Sequence, residues 1–429
     1  MAIDKKFFNI IQLGIGFMLV FTAFQTMGNV EKLILHGVKD FTGNEAFFSL
    51  AIIYGVFAVC NWFVPSFIVL TGPRVAIVAG SITYAIYIGS FLWPKAWLLY
   101  LASAFVGLGA ALLWTGQGNF LALNSTKDTI SKHSGIFWAL FQASMFIGNT
   151  FVYFQFRGKD EIDSDTRFTV ITTLVSVAIV GIVVLFILRK APRRDDSELD
   201  IAEQKGPVRA LKDALALCSR SEMLLLCLTF LYTGFVLSFY SAVYGACIGF
   251  TKEFGDKSNQ YAALSGILIG AGEVIGGLLF GIFSSKTNKW GRDPIIIGGY
   301  IVHTVAFFLI FLNLPNDSPI NVTNDLGFIT PSPALALLGS FMLGFGDSCV
   351  NTQLYATLGD LFSDCSAEAF AVFKFTQSVS AAAALAYANV LQLYYQLVIL
   401  VIFATLSTVA YVRVEIMNRR KMRDSAESI

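Results

Sequence analysis

Three ionisable residues, Glu273, Asp347 and Lys374, each lie inside a run of apolar residues long enough to cross a bilayer. A charge in that environment costs about 2.5–3.5 kcal/mol on insertion scales, so its presence needs a functional or structural reason. A carboxyl group there can bind and release a proton. A carboxylate and an ammonium group together can bind a polar solute or form an ion pair.

Asp347 and Lys374 each have a polar residue on the same face of their predicted helix. Asn351 follows Asp347 by four residues, and Gln377 follows Lys374 by three. Both spacings bring side chains together on an α-helix. The two charges are predicted to lie about 7–8 Å and about 12 Å from the same, inner end of their helices. Two interpretations stay open: an ion pair that joins the helices at the inner mouth, or a site for substrate binding or coupling.

Glu273 is predicted to lie near the middle of the membrane, with no lysine or arginine at its level. Its segment is rich in glycine, and small residues four apart allow helices to pack closely. We hypothesise that Glu273 is a proton site, because proton-coupled transport requires a carboxyl group that gains and loses a proton in an alternating cavity. A protonated or hydrogen-bonded packing residue is the alternative.

Five further polar residues are weaker candidates. Gln25, Asn61 and Asn149 can line a solute pathway or form hydrogen bonds between helices, and the sequence does not decide between these roles. Gln142, at a depth that corresponds to that of Asp347 and Lys374, is an uncharged candidate for the substrate site or the inner gate. His303, in the ninth predicted span, is expected to be a polar residue that is satisfied at a helix interface.

No pattern typical of an enzyme is present in the sequence. The chain has three histidines and six scattered cysteines, without a phosphate-binding loop, a dinucleotide fingerprint or a cluster with metal-ligand spacing. A net charge of +1 gives no bias toward nucleic acid. We therefore expect no catalytic activity, no cofactor, no metal and no nucleic-acid partner.

The elements that carry these residues are predicted to be transmembrane helices. Hydrophobic residues make up 55% of the 429 positions and charged residues 14%, with a mean hydropathy of +0.67, whereas soluble chains carry roughly 25% charged residues. About 20 helical residues cross the hydrocarbon core of a bilayer. The apolar stretches predict an all-α polytopic membrane protein with twelve spans, at 7–27, 46–70, 75–93, 98–115, 135–154, 168–188, 223–246, 260–283, 294–313, 334–352, 366–390 and 396–415.

The distribution of positive charge orients the predicted spans. Most of the 30 lysine and arginine residues fall in the tails and loops that share a side with the N-terminus, which favours a cytoplasmic location for both termini. The sequon that begins at Asn321 then lies in an outer loop as a glycosylation site, whereas the sequon at Asn124 lies inside and is expected to stay unmodified. The sequence does not distinguish the plasma membrane from internal membranes.

The chain is predicted to consist of two six-helix halves. We place the N-terminal half at 1–188, a cytoplasmic linker at 189–222, the C-terminal half at 223–415 and a cytoplasmic tail at 416–429. Within the linker, Pro207 opens an apolar stripe that ends at Cys218, which indicates a helix lying on the membrane surface. A solvated linker with a short amphipathic turn is the alternative.

The two halves repeat each other in order and spacing. Gly107, Gly109, Thr115 and Gln142 recur as Gly344, Gly346, Thr352 and Gln377, and a Gly-Pro-Arg turn ending at Arg74 recurs around Arg292. This pattern is typical of two parallel six-helix repeats.

Two six-helix halves joined by a long basic inner loop resemble the major facilitator superfamily. The loop from Gly281 to Arg292 resembles the signature of that superfamily, whereas the first copy, TGPR, lacks the usual acidic residue. Five strings resemble the Unc-93-like branch: FTAFQTMGNVE (21–31), LLWTGQGNFLALNS (112–125), SGIFWALFQASMFIGN (134–149), SGILIGAGEVIGG (265–277) and GFGDSCVNTQL (344–354). The branch tends to carry TGxE in helix 7, where this chain has Val236 in place of the carboxylate, so no role of that carboxylate is carried over.

The resemblance implies a major facilitator fold, in which helices 1, 2, 4, 5, 7, 8, 10 and 11 line a central cavity. Glu273, Asp347 and Lys374 would then face the cavity, and His303 would not. All three charges belong to the C-terminal half. The resemblance also implies two functions. One is a secondary transporter that moves a small solute by alternating access, with proton coupling as a further hypothesis. The other is a non-transporting accessory protein, an ion-channel regulator or receptor-trafficking escort with a membrane-protein partner.

Overall fold

The computed structural model describes residues 5–36, 38, 39, 41–125, 129–159, 162–189, 212, 213, 215–282, 292–362 and 365–427. The chain divides into two compact units, Met1–Leu211 and Lys212–Ile429, and the division falls within the predicted linker. The predicted surface helix begins at Pro207, outside the described residues, and most of the predicted second signature loop also lies outside them.

The first unit contains seven helices within its described residues. These are α1 (Lys5–Leu35), α2 (Glu45–Cys60), α3 (Val64–Thr71), α4 (Pro73–Ser90), α5 (Ala96–Leu123), α6 (Ile130–Gln155) and α7 (Ser164–Phe186). α1 packs against α6 and α7, and α5 packs against α2 and α4. Polar pairs run along the contact between α1 and α6: Ser144 Oγ donates to the half-buried Gln25 Oε1 at 2.5 Å, and the buried Asn29 Nδ2 donates to Asn149 Oδ1 at 2.8 Å.

From Ser221 onward, the described residues of the second unit form another seven helices. These are α8 (Ser221–Ser238), α9 (Tyr244–Phe250), α10 (Ser258–Ile282), α11 (Asp293–Asn313), α12 (Pro333–Leu361), α13 (Ser366–Tyr387) and α14 (Leu393–Glu427). A π-helical turn, Phe239–Val243, makes α8 and α9 nearly continuous, and a 3₁₀ turn, Lys252–Lys257, precedes α10. A parallel β-bridge joins Thr251 to Thr323 in the loop before α12.

The same packing pattern occurs inside each unit. The packing of α1 against α6 and α7 corresponds to the packing of α8 against α13 and α14. In the same way, the packing of α5 against α2 and α4 corresponds to the packing of α12 against α10 and α11. The repeated glycines occupy equivalent contacts. A Cβ atom on Gly107 would lie 2.7 Å from the Ile53 carbonyl oxygen of α2, and one on Gly344 would overlap the Ile269 carbonyl oxygen of α10. The repeat predicted from the sequence is therefore also a repeat of close helix contacts.

Four helix ends of the second unit are tied together by ion pairs. Arg292, just before α11, pairs with Asp360 near the end of α12 and lies 3.6 Å from Glu415 of α14. Arg419 Nη2 lies 2.7 Å from Asp293 Oδ2, and Lys421 pairs with Glu222 at the start of α8. We call this set of ion pairs the ionic clamp.

Ten helices in the described part of the chain are long and apolar enough to cross a membrane, and the chain is an integral membrane protein. The predicted second span, 46–70, is divided by a turn at 61–63 into α2, of 16 residues, and α3, of 8. The third forms α4, of 18 residues, which is not among the ten. The count of twelve spans therefore stays a prediction.

Two charged residues that were assigned to an outer loop are buried instead, because α1 is longer than its predicted span. The helix continues past residue 27 to Leu35. Glu31 and Lys32, assigned to an outer loop, are 1% and 4% exposed. Val30, Leu33 and Ile34 are also buried, and this continued apolar face explains why the helix extends.

Candidate functional site

Asp347 occupies the central position of the 29-residue α12 and is 6% exposed. Its Oδ2 atom accepts a hydrogen bond from Asn351 Nδ2 at 2.8 Å and one from Tyr240 Oη at 3.3 Å. Among the residues that the structure describes, the buried Oδ1 atom has no hydrogen-bond donor. We call Asp347, Asn351 and Tyr240 the Asp347 cluster. It contains a carboxyl group with one oxygen satisfied and one free to accept a donor.

The central position of Asp347 corrects its predicted place near one end of the helix. The sequence after residue 352 contains polar residues, and we predicted a loop there. Leu354 and Leu358 are instead fully buried, at the four-residue spacing that keeps a helical face in contact with its neighbours. α12 therefore continues to Leu361.

Tyr240 reaches Asp347 from the π-helical turn between α8 and α9. A π turn inserts one extra residue into a helix, and such turns are frequent at functional sites. Tyr240 was not among the predicted site residues, because a single π turn leaves no signal in the hydrophobic pattern of an otherwise apolar segment.

A second cluster forms around Lys374 on α13. Lys374 Nζ donates to Gln377 Oε1 at 3.0 Å, and Gln377 Nε2 donates to Thr233 Oγ1 of α8 at 3.2 Å. The ammonium group also lies 4.7 Å from the ring centroid of Phe373 and 5.5 Å from that of Tyr355, distances at which a ring face attracts a cation. We call Lys374, Gln377 and Thr233 the Lys374 cluster.

The ion pair between Asp347 and Lys374, one of the two interpretations that the sequence left open, is not formed. Lys374 Nζ is held by Gln377 and the aromatic rings rather than by the Asp347 carboxylate. Both same-helix pairs that the sequence predicted, Asp347 with Asn351 and Lys374 with Gln377, are in contact. The second unit thus contains a carboxyl group and an amino group that are each held by other partners.

The remaining predicted residues lie on another helix of the second unit or in the first unit. Glu273 is buried at 7% exposure on α10, beside Gly272 and Gly276, which pack closely against α12. In the first unit, Gln142 is half-buried on α6 and Asn61 is half-buried in the turn after α2.

His303 and Asn321 lie in the environments that the sequence predicted for them. His303 is fully buried on α11, where it contacts Tyr232 of α8 and the Leu343 carbonyl of α12. Asn321 is exposed in the loop before α12, and its Nδ2 atom donates to Asp317 Oδ2 at 2.8 Å.

Two solved structures share the fold of this chain at 11% sequence identity. The nucleoside transporter NupG aligns with a TM-score of 0.68 over 95% of this chain and 99% of its own. The peptide transporter POT, crystallised with sulfate, aligns with a TM-score of 0.69 over 98% of this chain and 95% of its own. Both are major facilitator transporters, so the predicted major facilitator fold is confirmed.

Sequence relatives identify the branch. The family described as ion channel regulatory protein UNC-93 matches residues 38–412. The UNC93-like protein MFSD11 of Xenopus tropicalis is 45% identical, and the alignment covers 96% of each chain. The family match spans most of the chain and the relative spans nearly all of it, and the chain therefore belongs to the UNC-93 family.

Proposed function

We propose that this chain is a secondary transporter that moves a small polar solute across the membrane by alternating access. The observation that carries the proposal is the buried Asp347 Oδ1 atom, which has no hydrogen-bond donor among the described residues. A buried polar atom left without a partner costs about 1–3 kcal/mol. A solute that presents an ammonium or N–H group to Asp347 would remove this cost when it binds.

The Lys374 cluster supports a solute with both signs of charge. Lys374 is part-buried and held by an amide oxygen and two rings, so its ammonium group keeps the capacity to donate to an anionic group. A zwitterionic solute would present a cation to Asp347 and a carboxylate to Lys374. The fold shared with a nucleoside transporter and a peptide transporter supports transport only by analogy.

Uptake into proteoliposomes tests the proposal. Purified full-length protein is reconstituted and incubated with a defined mixture of isotope-labelled amino acids and short peptides, and the trapped solutes are identified by mass spectrometry. We expect saturable uptake of at least one zwitterion. Asp347→Asn and Lys374→Gln should each lower its kcat/KM by about 10- to 100-fold, the loss expected for a hydrogen bond to a charged group.

Matched controls separate this loss from a general effect of charge. Asp256→Asn and Lys257→Gln make the same charge changes at exposed positions of the 3₁₀ turn and should leave uptake unchanged. Uptake that persists in both Asp347→Asn and Lys374→Gln would remove these residues from the site.

We further propose that transport is coupled to protons, and we assign the coupling to Glu273. This residue is buried on α10, the helix most closely packed against α12. If Glu273 carries the coupled proton, Glu273→Gln should abolish the dependence of uptake on a pH gradient while solute exchange continues. Uptake by Glu273→Gln that still responds to the gradient would place the coupling group elsewhere.

A second function is favoured by the description of the family, which names ion channel regulation. In this alternative the chain transports nothing and binds a membrane protein, such as a channel or a receptor. A membrane partner that co-purifies in a fixed ratio, together with no uptake from the solute mixture, would support the accessory function over transport. In neither case do we assign the chain a catalytic step.

For either function we propose that both termini face the cytoplasm. The support is the concentration of lysine and arginine on that side of the predicted spans.

A further inference from the structure

A buried carboxyl group lies where three helices of the first unit meet, apart from every site described above. Glu31 is on α1, Ser49 on α2 and Tyr87 on α4, and they are 1%, 0% and 0% exposed. Glu31 is four residues before the end of α1 at Leu35, about 6 Å along the helix axis. The group is therefore buried from solvent, although it lies only one helical turn from a loop.

The oxygen atoms of this group are close together. Ser49 Oγ lies 2.5 Å from Glu31 Oε1, 2.8 Å from the Ala46 carbonyl oxygen and 3.2 Å from Tyr87 Oη. Tyr87 Oη lies 2.7 Å from Glu31 Oε2. Three of these contacts have the length of O–H···O hydrogen bonds. They are the contacts of Glu31 with Ser49, of Ser49 with Ala46, and of Tyr87 with Glu31.

The supply of hydrogens determines the protonation state that fits these contacts. A serine and a tyrosine hydroxyl each carry one hydrogen, and a carbonyl oxygen carries none. Three hydrogen bonds need three hydrogens, and a proton on the Glu31 carboxyl group supplies the third. With that proton in place, Glu31 donates to Ser49, Ser49 donates to the Ala46 carbonyl, and Tyr87 donates to Glu31. Without it, one close pair of oxygens has no hydrogen between them.

A metal cation fits this arrangement less well than a proton. Oxygen ligands lie about 2.0–2.1 Å from a cation as small as Mg²⁺ in octahedral geometry, which keeps neighbouring ligand oxygens about 2.9 Å apart. The Glu31–Ser49 and Tyr87–Glu31 separations of 2.5 Å and 2.7 Å are shorter. They are the separations of oxygens that share a hydrogen.

The surrounding charges do not hold Glu31 in its ionised form. Among the described residues, the titratable and charged groups on the elements packed around this end of α1 and its partner helices are Lys32, His36, Glu45, Tyr54, Tyr84, Tyr100, Tyr153, Asp165 and Arg167. Lys32 Nζ lies 4.3 Å above the Phe47 ring, and Arg167 Nε donates to the Ile34 carbonyl at 3.0 Å. Within the described residues, none of these groups forms an ion pair with Glu31.

We propose that Glu31, Ser49 and Tyr87 form a proton-binding site in the first unit, with Glu31 carrying the proton. On release, the Glu31 O–H bond breaks, the proton passes to water at the end of α1, and the electron pair stays on the carboxylate. The Ser49 hydroxyl then turns its hydrogen from Ala46 to Glu31, so that Ser49 and Tyr87 both donate to the anion. The two hydroxyl groups stabilise both the protonated and the ionised state of Glu31. The proposed site binds a proton whether or not the chain transports a solute.

Infrared difference spectroscopy of the purified full-length protein tests this site. A neutral carboxylic acid has a C=O stretching band separate from those of carboxylates and amides, and a sugar-based detergent without ester groups keeps that region clear. We expect wild-type protein at neutral pH to show an acid band that Glu31→Gln loses. Ser49→Ala and Tyr87→Phe should keep the band at a shifted frequency, because each removes one hydrogen-bond partner.

Glu45→Gln is the matched control, on the same end of the unit. The Glu45 carboxylate accepts hydrogen bonds from the backbone N–H groups of Thr42 and Gly43 and from the Thr42 hydroxyl, at 2.9–3.0 Å, which is the pattern of an ionised group. Its substitution should leave the acid band unchanged.

Three outcomes would overturn the proposal. The first is a Glu31→Gln spectrum that superimposes on that of the wild type. The second is a Glu31 band that persists unchanged as the pH is raised until the protein unfolds, since a site must release what it binds. The third is a band that disappears at constant pH when Na⁺ is added, which would assign the group to a metal cation.

Discussion

The imidazole of His303 carries its hydrogen on Nε2, because that nitrogen lies 2.9 Å from the Leu343 carbonyl oxygen, which can only accept. Nδ1 is therefore the acceptor for the Tyr232 hydroxyl, 2.5 Å away. Both ring nitrogens are satisfied by two different helices. This arrangement explains why a histidine is tolerated at 0% exposure in a membrane-spanning helix.

Tyr232→Phe should destabilise the second unit, because it leaves His303 Nδ1 buried without a donor. The expected loss is about 1–3 kcal/mol, seen as a lower apparent Tm of the purified protein in detergent. Tyr395→Phe removes a hydroxyl from a side chain that is 61% exposed and should leave the Tm unchanged. Equal effects of the two substitutions would contradict the assigned hydrogen bond.

Sequence reasoning at the residue scale succeeded where two side chains share one helix. The pairs Asp347–Asn351 and Lys374–Gln377 follow from helical periodicity alone, and both are in contact. It failed where a partner comes from another helix. Nothing in the local pattern links Tyr240 to Asp347, or Ser49 to Glu31, because those contacts depend on the packing of separate segments.

At the scale of elements, close contacts between helices depend on a few glycines. Gly344 lies against the backbone of Ile269 on α10, where a Cβ atom would overlap a carbonyl oxygen that cannot rotate away. Gly359 lies on the same helix, α12, with nothing within 4 Å of the position of a Cβ atom. The two glycines make a matched pair.

Gly344→Ala should destabilise the protein by about 1–3 kcal/mol, as expected for overpacking. Gly359→Ala should be neutral or stabilising by about 0.5–1 kcal/mol, because alanine is the better helix former. Thermal unfolding of both variants in detergent measures the difference. A Gly344→Ala protein as stable as Gly359→Ala would mean that α10 and α12 are not in backbone contact.

The start of α7 depends on the charge of an aspartate outside the membrane-spanning segment. Asp163 Oδ1 accepts from the backbone N–H of Thr166 at 2.6 Å, and Oδ2 lies 2.9 Å from Lys159 Nζ. The hydrogen bond from Lys159 and those from Thr166 lower the pKa of Asp163 below its ordinary value. A lowered aspartate pKa stabilises the fold above the unfolded pKa of about 3.9.

The stabilisation from Asp163 should therefore be present at neutral pH and disappear as the pH falls below about 4. Asp163→Asn keeps an acceptor for the helix N-terminus but cannot titrate. The Tm difference between wild type and Asp163→Asn should shrink on acidification, whereas Asp163→Ala should be the least stable near pH 7. A difference that stays constant with pH would show that the Asp163 charge contributes nothing.

Prediction of the elements was good for their order and poor for their ends. Apolar length alone located the helices, but polar residues at helix ends were assigned to loops. In α1 and α12 those residues are buried against neighbouring helices, and tertiary contacts, which hydropathy does not contain, extend both. The turn at 61–63 that divides α2 from α3 was missed for the same reason.

At the scale of the whole molecule, the internal repeat was predictable because small residues recur at equivalent positions in the two halves. Gly107 and Gly109 contact α2 and α4, and Gly344 and Gly346 contact α10 and α11. The polar chemistry does not repeat in the same way. The described first unit buries the carboxyl groups of Glu31 and Glu45, whereas the second buries those of Glu273, Asp347 and Glu415, so helix contacts alone do not predict the sites.

The proposed orientation is tested by glycosylation. Asn321 is exposed and, with both termini inside, faces the lumen or the exterior, where sequons are modified. Expression in animal cells should give a glycosidase-sensitive mass that Asn321→Gln loses and Asn124→Gln keeps. A glycan on Asn124 would reverse the assigned orientation.

The length of α14 and the ionic clamp have a practical consequence for imaging. Its 35 residues extend about 52 Å, against about 30 Å of hydrocarbon, so the helix must project beyond the bilayer. Arg419 and Lys421 tie the projecting part to α11 and α8. A rigid helical marker fused in phase after Glu427 should move with the second unit. The marker would add the mass and the recognisable shape that particle alignment in electron cryomicroscopy requires of a small membrane protein.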